Sequence, residues 1–173
     1  MIKRPLPTSA ALALWLSALL ICSSTWAEPA ASGQDPQAAE SELALPSPAQ
    51  KSNLLPFYVS PTTTMDFSID AKSLSVTPDG IVRFTLVITS KTGASNISYE
   101  GIRCKTAERK LYATGRPDGS WNTLQDTEWR RISSSGTNSY QAALMRDFFC
   151  DGEAVAGKAA VIVERIRRKK PLR

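Results

Sequence analysis

Histidine is absent from this 173-residue chain. Without an imidazole, neither a Ser–His nor a Cys–His nucleophile can be assembled, and the usual histidine-bearing metal sites are excluded. Catalysis, if any, would fall to carboxylates, Lys, Tyr or Ser. Cysteine is scarce, with three residues in all, Cys22, Cys104 and Cys150, and no Cys-x-x-Cys pair that would mark a redox motif. Aromatic residues make up only 8%. There is no internal repeat of useful period. Beyond the N-terminal segment no apolar run is long enough to cross a bilayer, so no transmembrane helix is expected in the mature chain. The charge is only mildly unbalanced, with 21 Lys and Arg against 16 Asp and Glu, and no nucleic-acid motif accompanies it. No cofactor, metal or catalytic residue is assigned.

The N-terminus has a three-part layout. Lys3 and Arg4 make a basic start, an apolar stretch follows over 10–22, and small residues precede Ala27. This is the pattern of a secretory signal peptide over 1–27. Thr25 and Ala27 supply the small side chains that a signal peptidase reads, so cleavage after Ala27 is expected. Cys22 offers an alternative as a lipid anchor, but Ile21 is bulky where a small residue is wanted. Removing 1–27 takes away Lys3 and Arg4 and leaves 19 cations against 16 acids.

Residues 28–52 are rich in Ala, Pro, Ser, Gln and Glu, with Pro29, Pro36, Pro46 and Pro48 breaking any helix. They read as a flexible linker. The texture changes at 53, and a globular domain is expected over 53–165. Short extended runs are expected at 54–59, 67–70 and 74–77. Pro78-Asp79-Gly80 is a turn, in which Pro fixes one backbone angle and Gly permits a positive one. Residues 81–89 form the clearest strand, with Val82, Phe84, Leu86 and Ile88 on one face. Strands over 96–105 and 109–114 complete an antiparallel meander, and 129–132 reads as a last strand. Tyr140, Leu144, Phe148 and Phe149 recur at helical spacing. Residues 154–169 favour a second helix, although 159–163 would also suit a strand. The expected fold class is α+β: an antiparallel β-sheet meander with one or two helices packed on one face. Residues 166–173 read as a basic tail, solvated or in electrostatic contact with anionic surfaces.

Two cysteines remain in an exported chain, and in an oxidising compartment they are expected to pair as a disulfide, Cys104–Cys150. By strand alternation Glu100 shares a face with Ile102 and Cys104, while Tyr99, Gly101 and Arg103 take the other. A carboxylate on the covered face needs a partner, and Arg116 or Arg131 is expected to supply it. The segment 98–121 interleaves charged residues, aromatics and Gly. Its candidate ligand-binding residues are Glu100, Arg103, Arg116, Asp118 and Trp121.

Three stretches of the chain resemble the CNP1-like family, exported proteins of Gram-negative bacteria named after a cryptic neisserial protein. They are Leu55-Pro56-Phe57-Tyr58-Val59, then Asn96-Ile97-Ser98-Tyr99-Glu100-Gly101-Ile102-Arg103-Cys104, then Tyr112-Ala113-x-Gly115-Arg116-x-Asp118-Gly119-x-Trp121. The resemblance spans about 54–151, including Trp129 and Phe148-Phe149-Cys150. It implies a periplasmic or envelope setting and brings no catalytic residue. The expected function is a non-enzymatic envelope protein that binds or supports an envelope protein or polymer, without nucleic acid. The alternative is a small carboxylate-dependent hydrolase of an envelope polymer, which would need Glu100 close to Asp118 or Asp70 in a cleft.

Overall fold

The computed structural model describes residues 40–125, 127–137 and 139–173. The expected signal peptide 1–27, Cys22 and the first part of the expected linker lie outside these residues. A short 3-10 turn, Lys51–Asn53, leads into β1 (Leu54–Phe57), followed by β2 (Asp66–Asp70) and β3 (Ser75–Val76). The long strands β4 (Ile81–Thr89), β5 (Ser95–Arg103) and β6 (Glu108–Gly115) follow, then short β7 (Trp121–Thr123) and β8 (Arg130–Arg131). All pair antiparallel in the order β1-β2-β4-β5-β6-β7, with β3 on β4 and β8 on β6. The expected meander is therefore present, and Gly80 takes the positive φ of 76° that the turn before β4 requires.

α1 (Tyr140–Leu144) runs into a π-helical turn, Met145–Phe149. A small hairpin of β9 (Cys150–Asp151) and β10 (Ala154–Val155) comes next, then α2 (Ala159–Arg167). The ambiguous last segment thus divides: Ala154–Val155 pairs as strand, three residues follow in a loop, and Ala159–Arg167 is helix. Ile162 and Ile166 fit the helix, which buries both while turning Glu164 between them away, whereas a strand would put all three on one face. The expected tail does not begin at 166, because Ile166 belongs to this helix. Arg167 and Arg168 pair with Glu164, and the Leu172 amide donates to the Asp147 carbonyl.

Both helices cover one face of the sheet. Ile69, Val82, Phe84, Leu86 and Ile102 pack there against Leu144, Phe148, Phe149, Ile162 and Ile166. Phe84 meets Phe149 edge to face at 5.1 Å between ring centres. The Cys104–Cys150 disulfide joins the end of β5 to the end of the π turn within this core. The fold is α+β, as the sequence pattern led one to expect. No helix of the described residues is long and apolar enough to cross a membrane.

Candidate functional site: the strapped face of the sheet

The second face of the sheet is where charge collects. Alternation along β4 puts Arg83 on it, and Arg83 pairs across the sheet with Gly101, which pairs in turn with Lys110. The middle residue of this row has to be glycine. A Cβ at Gly101 would lie 2.7 Å from the Tyr112 hydroxyl and 2.9 Å from its ring. Tyr112 therefore lies over the gap, with the Arg83 guanidinium 5.3 Å and the Lys110 ammonium 5.6 Å from its ring centre. The β5–β6 register shifts between Tyr99 and Glu100, and Tyr112 and Ala113 are both buried with Tyr99 on this side.

The anion for these cations comes from the stretch expected to be a flexible linker. From Glu40 onward that stretch is docked. Glu40 accepts hydrogen bonds from the Tyr112 hydroxyl and from Lys110 Nζ at 2.9 Å, and its other oxygen contact is Arg83 Nη2 at 3.3 Å. Arg83 also donates to the backbone carbonyls of Ser41 (2.6 Å) and Glu42 (2.8 Å). Asp79, in the turn before β4, accepts from the Ser41 amide and hydroxyl at 3.2 and 2.6 Å. Trp121 Nε1 donates to the Pro46 carbonyl at 2.7 Å, and Pro48 sits 3.3 Å from where a Cβ of Gly119 would be. Residues 40–48 thus form an arm across the outer face. It half-buries its first glutamate and leaves Leu43 and Leu45 exposed, the reverse of a hydrophobic docking.

Arg83 is deeply buried, at 4% side-chain exposure, and donates to three oxygens of residues 40–42 as well as hydrogen-bonding the Tyr112 side chain. Its Nε finds no acceptor among the described residues. Burial works to raise the Glu40 pKa, but the Tyr112 and Lys110 hydrogen bonds and the two cations outweigh it and hold the carboxyl below its usual value. Burial, then the Glu40 carboxylate, push the Tyr112 phenol well up, so it remains a donor. Partial burial likewise opposes the charge of Asp79, yet hydrogen bonds from Ser41 and Thr77 bring it down to about 2.

Acid should release the arm. Carboxylates with depressed native pKa values contribute stability that is present above their unfolded values and lost as pH falls through the native ones. Docking should be constant from neutral pH down to about 4.5, the ordinary value for Glu40, and weaken from there towards about 2, where Asp79 titrates. Hydrogen exchange at the Ser41 amide, which donates to Asp79, should show lower protection at pH 3 than at pH 7 once corrected for its intrinsic rate. Equal protection would contradict the assignment.

The residues singled out from the sequence do not converge on one site. Glu100 lies on the helix side with Ile102 and Cys104 and is 2% exposed. No arginine pairs with it among the described residues, in contrast to the expected Arg116 or Arg131. Neutral donors surround it instead: Ser98 Oγ at 2.6 Å, the Tyr140 hydroxyl at 2.8 Å and Gln141 Nε2 at 3.3 Å. Burial and then the Glu100 charge raise the Tyr140 pKa strongly, keeping that phenol protonated. The reason for the difference is local. The start of α1 lies over the sheet at this point and fills the space an arginine would need. Glu100→Gln should therefore stay within about 1 kcal/mol of wild type, because it removes an uncompensated charge and keeps the shape. Glu100→Ala should lose about 2–3 kcal/mol, from the cavity and the stranded donors. Melting curves that drop equally for both would oppose this.

Arg103 stacks on Trp129 at 4.1 Å and, with Glu40, Glu108 and Lys110, lines an open cleft of about 530 Å³. Arg116 and Trp121 line another, of about 360 Å³, with Pro48 and Ile97. Asp118 is exposed in the β6–β7 turn and accepts from the Ser120 amide and hydroxyl at 2.8 and 2.7 Å, a turn role. Glu40, Arg83 and Lys110 were not singled out. The only signal for Arg83 was a cation inside the most apolar strand, and Glu40 had none.

Residues 33–167 match the CNP1-like family. The chain belongs to that family. The match begins before the arm, so in the CNP1-like protein the arm lies inside the family region, which the motif resemblance over 54–151 did not reach. Cryptic neisserial protein 1 of Neisseria gonorrhoeae (strain ATCC 700825 / FA 1090) is 27% identical over 113 residues, covering 58% of this chain. The chain spans about half that relative's length, 55%. No solved structure matches.

Proposed function

We propose that this CNP1-like protein is an exported, non-enzymatic component of the cell envelope that binds or supports another envelope component through the strapped face of its sheet. The observation that carries this reading is Arg83. A cation at the centre of a sheet, resting on the Tyr112 ring, gives three hydrogen bonds to a segment of chain laid across it. That is the chemistry of holding a peptide. The Cys104–Cys150 bond supports export, since such bonds persist in oxidising compartments. The reading includes cleavage after Ala27 and residence in the periplasm.

Fractionation tests it. The periplasmic extract should contain the protein with Glu28 as its first residue, judged by intact mass. A lipid on Cys22 would move it to a membrane, and a cytoplasmic protein of full length would end the reading. Crosslinking in intact cells from a photoreactive residue at position 43 should then trap an envelope component in a complex of defined mass.

A further inference from the structure

We propose that the outer face of the sheet is a receptor for an extended peptide carrying one carboxylate, and that residues 40–48 are its resident, displaceable ligand. This rests on the reading of the face as a binding surface and names what it binds. Three features carry it. The site recognises a carboxylate by charge and by direction, since the Glu40 carboxylate takes a phenol, an ammonium and a guanidinium from three separate positions on the sheet. Its remaining hydrogen bonds read mostly backbone: the carbonyls of residues 41, 42 and 46 accept from Arg83 and Trp121, and the amide of 41 donates to Asp79, with the Ser41 hydroxyl the one side chain that joins it there. Any extended segment offers the backbone groups, and a Ser or Thr after the carboxylate supplies the hydroxyl. The arm itself has no helix or strand between residues 40 and 50 and no backbone–backbone hydrogen bond to the sheet. Once the carboxylate is replaced, only the hydrogen bonds with Asp79, Arg83 and Trp121 still hold it.

The occupant in trans is a segment of another protein with Glu or Asp at the place of Glu40 and extended backbone after it. A tethered arm competes at an effective concentration of the order of millimolar. The intact protein should therefore bind such a segment weakly, and a chain with a weakened arm should bind it well. The buried, unsatisfied Arg83 Nε is a further donor that the resident arm leaves unused and that a better ligand could take.

The experiment uses the full chain and a fluorescent synthetic peptide spanning residues 36–50. Anisotropy titration should show at least tenfold tighter binding to Glu40→Ala than to wild type. Adding Lys110→Met to that variant should weaken binding at least tenfold, as should Gln in place of Glu40 in the peptide. Should Glu40→Ala fail to fold, Glu40→Gln, which keeps the volume, takes its place. No binding to either variant, or binding indifferent to the peptide's carboxylate, would overturn the proposal. So would a wild-type dimer that the peptide dissociates, which would make the occupant the arm of a second copy. Export is read separately by fractionation, so a cytoplasmic protein that still binds the peptide would sink the envelope reading and leave this one standing.

Discussion

The double variant Cys104→Ala/Cys150→Ala should melt roughly 15 °C below wild type. The bond closes a loop with a sequence separation of 46. The chain-entropy model assigns such a loop about 4 kcal/mol of restraint on the unfolded state. At about 4 °C per kcal/mol for an ordered region of this size, the melting point falls by the stated amount. Both sulfurs are buried, at 5% and 4% exposure, so the loss also leaves small gaps beside Phe149 and Ile102. Alanine is the right replacement, because serine would bury two hydroxyls and inflate the effect. Thermal unfolding followed by near-ultraviolet circular dichroism measures the shift. A melting point within a few degrees of wild type would mean that helix packing alone holds β5 to the π turn.

Glu40→Ala should cost about 3 kcal/mol, because the charge-assisted hydrogen bonds from Arg83, Lys110 and Tyr112 to one carboxylate are lost together. The cost includes the docking of the arm, whose loosening lets water reach an Arg83 that is 4% exposed while the arm covers it. The informative comparison is Arg83→Met and the double variant. Methionine fills the guanidinium's space with apolar atoms, and replacing a buried pair by such groups is often near neutral. The double variant should therefore be more stable than Glu40→Ala alone, with a coupling energy of about 2 kcal/mol between the sites. Urea unfolding of the four proteins closes the cycle. Additive losses would show that Glu40 and Arg83 do not act as a unit.

Most of the sheet was legible because its period is simple. The alternation of Val82, Phe84, Leu86 and Ile88 marks one face of β4, and the same logic places Glu100 beside Ile102 and Cys104. Partners were harder to read. A buried carboxylate suggests an arginine, but α1 brings a phenol and an amide to Glu100, and no spacing in the sequence links positions 100 and 140. The π turn escaped because Phe148 and Phe149 fit helical spacing well enough to hide one extra residue per turn. The arm escaped for a different reason. Its mix of Glu, Ser, Leu and Pro carries no helical or strand period, and the groups that hold it lie 38 to 75 residues away. Nothing in the spacing around Arg83 shows what covers it, which is Tyr112 and the arm.

The arm has a consequence for the order in which the chain is made. Glu40 leaves the ribosome before any group that will hold it. Arg83 follows 43 residues later, Lys110 70 later and Tyr112 72 later. At about 5–20 residues per second the arm waits roughly 4–14 s for a complete receptor. A strand-forming or strongly apolar segment would be exposed to wrong partners throughout that interval. A stretch of Glu, Ser and Pro with only two leucines is suited to waiting. The composition that hides the arm from a reader of the sequence also keeps it silent until the sheet is ready.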